Sequence, residues 1–441
     1  MNINTGCDWF ERNFGFKEKS YEYVRRKFRL ENDTVLVSLA NGRKFHIGSF
    51  ETPSLEQLRD RIGQLLIQSQ SDRDNIAYSI LNAKRNNEEG NCNDNEERSQ
   101  VLTFEHMIGD VKELHMDPKN AGAVFQVASH FNCLEIKDVN KTPNSGITSY
   151  EYDCTQQGPL CAMVCAPSTV YRNYFVNEYG QGGKKGKQID CLKEVGSVLG
   201  NDDEKYWTMK NGYALPSKTK SLKELSLKIY RSCQTTKNAM SKLKVGVQWD
   251  TEVIVEESEY TQSSARNNHL VTQVYSSAVP ISYSTTMGKK RDFQAIGSLI
   301  LNAAYEATFA VAAIKALETN KRVDLYLTKI GGGVFGNPSR WIVDAINSCL
   351  VKFEDFPLNV YLVHYGALEQ AYVQYLKGSK DCNLISDYIT SNISFSNMPV
   401  CTDDCSSNSQ IIVGVDTDDT YKEANESYSE ILTPNDSYSS G

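Results

Sequence analysis

Residues 325–350, LYLTKIGGGVFGNPSRWIVDAINSCL, decide the fold class. Residues 325–330 form a short apolar run bounded by glycines, which predicts a buried strand. Gly331, Gly332, Gly333 and Gly336 lack Cβ atoms, so the chain can turn sharply there and bring backbone N–H groups close to a ligand. Asn337 fits the cap position of a helix and Pro338 its first turn. Trp341, Ile342, Ala345, Ile346, Cys349 and Leu350 then recur at helical spacing on one face. A glycine turn feeding a helix start collects free N–H groups and the positive end of the helix dipole, which suits a phosphate or diphosphate. The plainer reading is a turn that only reverses the chain.

The spacing Gly331-x-Gly333-x-x-Gly336 also spells the dinucleotide-binding fingerprint. That site needs an acidic residue at the end of the next strand to hold a ribose. The next expected strand, 360–365, ends in His364, Tyr365 and Gly366, with no acid. The phosphate turn therefore belongs to some other α/β arrangement.

Working outward, strands are expected over 123–129, 243–249, 252–255 and 271–279. Helices are expected over 168–176, 222–231 and 296–317. Strands alternating with helices imply an α/β domain with a mixed or mostly parallel sheet. The 296–317 segment has the length of a membrane span, but Asn302, Glu306 and Lys315 interrupt it. It reads as a tightly packed core helix, with Glu306 a paired structural acid.

Residues 1–83 read as a hairpin and helix appendage. Asn41-Gly42 joins two apolar runs, and Ser54 with Gln57 forms a capping box. Residues 84–100 are a polar linker or insertion, 101–400 the main domain, and 401–441 a disordered tail with nine acids and one lysine. The net charge of −8 and pI near 5.5 argue against a general nucleic-acid or membrane-surface binder. The 12 cysteines form no CxxC pair, so the thiols are expected reduced and the protein intracellular. Cys161 and Cys165, like Cys401 and Cys405, are too isolated from further ligands to suggest zinc. No metal or cofactor is expected.

Three loops end strands in small or amide residues: the one at Gly109-Asp110, the one spanning 132–162, and the glycine loop. In this order they resemble the macrodomain pattern. The run Gly331 to Pro338, GGGVFGNP, resembles the second phosphate loop of poly(ADP-ribose) glycohydrolases, a branch of that superfamily. The resemblance covers roughly 101–366 and implies a three-layer α/β/α sandwich with a mixed sheet. It implies that Asp110 accepts a hydrogen bond from the adenine amino group and that Asn132 lies near the distal ribose. Gly158 falls in the first phosphate loop. Gly331, Gly332, Gly333, Val334, Phe335, Gly336 and Asn337 surround the diphosphate, with Phe335 against a ribose or the adenine. The expected ligand is ADP-ribose or an ADP-ribosylated protein.

Such glycohydrolases follow a Gly-Gly-Gly first loop with paired glutamates. Here that loop reads Gly158-Pro159-Leu160-Cys161-Ala162, and no Glu-Glu follows. Glu135 and Asp153 are the candidate catalytic carboxylates, since cleavage of a glycosidic bond needs an acid to protonate the leaving group. Two readings stay open: an ADP-ribosyl hydrolase and a non-catalytic ADP-ribose reader.

Overall fold

In the parallel strands of the central sheet, alternate side chains leave for opposite faces, and both faces are covered. The computed structural model describes residues 8–84, 102–153, 157–254 and 268–376. The strands are β1 Phe28–Glu31, β2 Val35–Ser38, β3 Lys44–His46, β4 Ser49–Glu51, β5 Thr103–Ile108 and β6 Val124–Ala128, followed by β7 Trp207–Lys210, β8 Tyr213–Pro216, β9 Gly246–Glu252, β10 Leu270–Ser276, β11 Val323–Leu327 and β12 Leu358–His364. Seven form one sheet in the order β4-β9-β10-β6-β11-β12-β5. β10, β6, β11, β12 and β5 run parallel, whereas β9 is antiparallel to both β10 and β4.

On β6, Phe125 stacks on His115 of the helix Val111–Met116, while the next residue, Gln126, donates to Thr308 of the long helix Gln294–Thr319. On β10, Gln273 donates to the Cys161 carbonyl, while Thr272 accepts from Lys315. These opposed partners make three layers, the α/β/α sandwich with a mixed sheet expected from the sequence. The Ala-rich helix Gln294–Thr319 buries nearly all of its surface, because small side chains let it lie close on the sheet. Lys290–Thr319 is the one segment among the described residues long and apolar enough to cross a membrane, and 89% of its apolar window is buried inside the domain. Glu306 accepts from Arg59 at 2.6 Å and pairs with Lys352, the structural role expected of it.

The N-terminal block departs from the expected appendage. The hairpin forms between β2 and β3, and the capping box is reciprocal: Ser54 N–H donates to Gln57 Oε1 at 2.8 Å and Gln57 N–H to Ser54 Oγ at 3.2 Å. Yet β4 from the same block is the edge strand of the main sheet, and the helix Leu55–Lys84 packs on Gln294–Thr319. The two strands expected over 243–249 and 252–255 are one, β9, and β5 was not foreseen. The linker beyond residue 84 and the acidic tail lie outside the described residues.

Candidate active site

Five parallel strands deliver their C-terminal ends to one edge of the sheet, where open α/β sheets bind ligands. The loops after β5, β6 and β11 carry the residues singled out in the sequence.

The glycine loop follows β11. The strand stops at Leu327, earlier than expected, because side chains take over its backbone groups. The Thr328 N–H donates to Gln126 Oε1, and the Tyr305 hydroxyl donates to the Thr328 carbonyl at 2.7 Å while accepting from Ile330 N–H at 3.1 Å. Gly331 and Gly336 adopt φ of 71° and 72°, in the region that favours glycine. Asn337 does not cap the next helix, which begins at Ser339 with Pro338 in the cap position. Instead its side chain donates to the carbonyls of Val279 and Gly331, pinning the two ends of the loop together. The amides of Gly332, Gly336 and Asn337 bond within the loop. Those of Gly331, Gly333, Val334 and Phe335 donate to no partner among the described residues. A Cβ on Gly333 would meet nothing within 4 Å. The loop is thus a rigid turn with unclaimed amides at its crest, and Lys329, paired with Glu369, stands beside it. This geometry suits an anion.

The loop after β6 carries Asn132, Cys133 and Glu135. Asn132 is fully buried: its Oδ1 accepts from Leu134 N–H and its Nδ2 donates to Gln188. Its side chain therefore shapes the loop. No helical turn links it to Glu135; Cys133 takes φ of 61° and reverses the chain. Glu135 is 4% exposed, and its Oε2 has no hydrogen-bond partner. Burial pushes its carboxyl well above the usual carboxylate range; the Arg172 guanidinium opposes this, and Asp153 adds to it. Asp153 is also buried, close enough to act on both Glu135 and His130.

The helix Gln157–Val164 begins against this carboxylate. A Cβ on Gly158 would stand 2.5 Å from Glu135 Oε2 and overlap the Ala128 carbonyl. The preceding side chain, Gln157, accepts from the Thr328 hydroxyl at 3.0 Å. One dipeptide thereby ties the buried carboxylate to the root of the glycine loop. Cys161 and Cys165, one turn apart on this helix and its end, are free and buried.

Phe335 tops the glycine loop but is 8% exposed, its ring 5.7 Å from His130, 5.9 Å from Tyr213 and 5.8 Å from Tyr283. Tyr213 donates to the Ile136 carbonyl at 2.6 Å, so the β7–β8 hairpin braces the Glu135 loop. Asp110 stands at the far side, capping Val111–Met116 through Lys112 N–H at 2.7 Å. Beside it Ile108 and Tyr365 form an exposed apolar lip, joined through the Gly109 N–H to His364 carbonyl bond. Tyr213, Tyr283 and Tyr365 were not foreseen; they come from distant segments and carry no local motif.

No family model matches the chain, and no curated protein matches it in sequence. Its structure resembles solved poly(ADP-ribose) glycohydrolases. The enzyme from Thermomonospora curvata shares 11% identity, with 80% of this chain and 96% of that chain covered and a TM-score of 0.34. The Deinococcus radiodurans enzyme, solved in complex with ADP-ribose, shares 10% identity over 82% of this chain and 99% of that chain, with a TM-score of 0.35. The Thermomonospora curvata enzyme bound to the inhibitor ADP-HPD gives 10% identity, 80% and 96% coverage and a TM-score of 0.35.

Proposed function

We propose that the cleft binds ADP-ribose or a related nucleoside diphosphate and hydrolyses an ADP-ribosyl glycosidic or ester linkage. The carrying observation is the pairing of a crest of unclaimed amides with a buried carboxylate whose Oε2 has no hydrogen-bond partner, the two joined through Gln157 and Gly158. The diphosphate sits on Gly331, Gly332, Gly333, Val334, Phe335 and Gly336, with Asn337 holding the loop's ends. Asp110 takes the adenine amino group beside the Ile108–Tyr365 lip, and the Phe335 ring backs the ribose. Asn132 acts on the distal ribose from behind, by shaping the loop that carries Glu135.

Glu135 is the proton donor. A carboxyl kept protonated by burial can give its proton to the leaving oxygen as the bond breaks. Asp153, nearby, is the carboxylate that orients the incoming water. The missing paired glutamates do not leave the cleft without an acid, because Glu135 reaches the start of the same helix from another loop.

The test is release of ADP-ribose from a mono-ADP-ribosylated protein, followed chromatographically. Glu135→Gln and Asp153→Asn are each expected to lower turnover by on the order of 100-fold or more while ADP-ribose still binds. Unchanged turnover in both variants removes them as the catalytic pair. The alternative is a reader module, favoured by the near-complete burial of Glu135. Binding of ADP-ribose without any release by the wild-type protein selects it.

A further inference from the structure

The N-terminal block reaches the cleft through Glu18. Its carboxylate accepts from Ile147 N–H at 2.9 Å, from Thr148 N–H at 2.7 Å and from the Tyr174 hydroxyl at 2.6 Å. The loop is built to receive it. Gly146 takes φ of 78°, and a Cβ there would lie 2.5 Å from the Glu18 carboxylate carbon. Trp9, from the same block, donates to the Thr148 carbonyl at 2.8 Å. The anchored segment continues as the 3-10 turn Thr148–Tyr152, which ends at Asp153. Within that turn Tyr150 is buried, and its hydroxyl accepts from Glu135 N–H at 3.1 Å. A short path therefore runs from Glu18 through Ile147 and Tyr150 to Glu135, with Asp153 at its end.

We propose that Glu18 is a positioning residue for the carboxylate pair Glu135 and Asp153. The inference rests on the hydrolytic reading of the cleft. The loop 137–153 buries Ile147 and Tyr150 in the core, but the amides of Ile147 and Thr148 have to be satisfied there as well. One carboxylate accepting two adjacent amides and a hydroxyl adds charge-assisted bonds to that anchorage. Releasing the loop frees Tyr150 from Glu135 and lets water reach the carboxyl. The phosphate cradle, on the other side of the cleft, keeps its own bonds.

The experiment compares the full-length wild-type protein with Glu18→Ala, Glu18→Asp and Glu18→Gln. Three quantities are read: amide exchange at 147–150, the titration of Glu135 by carboxyl NMR, and turnover against ADP-ribose affinity. Glu18→Ala and Glu18→Asp are expected to raise exchange at Ile147 and Thr148 at least about tenfold. They should bring the Glu135 titration down toward the ordinary range. They should lower kcat by roughly 10- to 100-fold with the ADP-ribose Kd changed less than about twofold. Glu18→Gln keeps one acceptor oxygen but not the charge, and should lose protection and rate less than Glu18→Ala does. Glu18→Asp serves if the alanine variant does not fold, since it keeps the charge but withdraws it by one methylene. Wild-type exchange and wild-type Glu135 titration in these variants overturn the proposal, as does equal loss of kcat and affinity. A wild-type protein without turnover, whose loop still loosens in the variants, overturns only the hydrolytic reading.

Discussion

Gly158 and Glu135 share one volume: a Cβ on residue 158 would lie 2.5 Å from Oε2 of Glu135. The side chain missing from the helix start is replaced by a carboxylate from the loop after β6. Gly158→Ala should therefore destabilise the fold by about 1–3 kcal/mol through overpacking. In a Glu135→Ala background the same change should cost less, because the carboxylate is gone and only the overlap with the Ala128 carbonyl remains. A double-mutant cycle in urea checks this. Additive effects would show that the two residues do not compete for space.

The glycines of the loop after β11 differ in what they do. Gly336 has φ of 72° and its Cβ would overlap the Ser282 hydroxyl, so Gly336→Ala should destabilise the protein by more than about 1 kcal/mol. Gly333 has open space above it and no such backbone demand. Gly333→Val should unfold within about 0.5 kcal/mol of the wild type. Denaturant midpoints for the two variants separate fold from function in one loop.

Tyr305 fixes the root of that loop by bonding both Thr328 and Ile330. Tyr305→Phe leaves the buried Ile330 N–H with one fewer partner, and a loss of about 1–3 kcal/mol is expected. ADP-ribose affinity should fall along with it, since the crest amides are aimed from this root. Undiminished affinity would show that the loop sets its own shape.

Two fully buried histidines make the fold acid-sensitive. Burial pushes His115 and His130 down to about 4 from an ordinary 6.5. His115 donates from Nδ1 to the Val111 carbonyl and accepts at Nε2 from Gln273, so its neutral form is the one that fits. The unfolded chain binds these protons more readily than the folded one. Stability is therefore full above pH 6.5 and falls as pH drops toward 4, by about 3 kcal/mol for each histidine. His115→Gln should flatten the pH dependence of the unfolding midpoint over this window. An unchanged slope would locate the sensitivity elsewhere.

Much of this was readable because strand, glycine turn and helix are local signals. Residues 325–350 foretold β11, the turn and the helix Ser339–Lys352, and the hairpin at Asn41-Gly42 and the box at Ser54 followed from spacing alone. The errors came where distant side chains intervened. β11 is cut short by Tyr305, and Asn337 is drawn from the helix cap by Val279, whereas Glu306 is paired, as expected, with Arg59 and Lys352. The edge strand β5 escaped notice because Glu105 and His106 break its apolar run. Glu18 gave no signal at all; its meaning lies in amides 129 and 130 residues away.

The central claim is that the glycine loop cradles the diphosphate of an ADP-ribose. Calorimetric titration of the folded wild-type protein with ADP-ribose, beside Gly333→Val, tests it most directly. The account expects saturable one-to-one binding with a Kd well below about 1 mM in the wild type. It expects no binding in the variant, at equal stability. Absence of binding to the folded wild type at millimolar ADP-ribose, or full affinity in Gly333→Val, would contradict it.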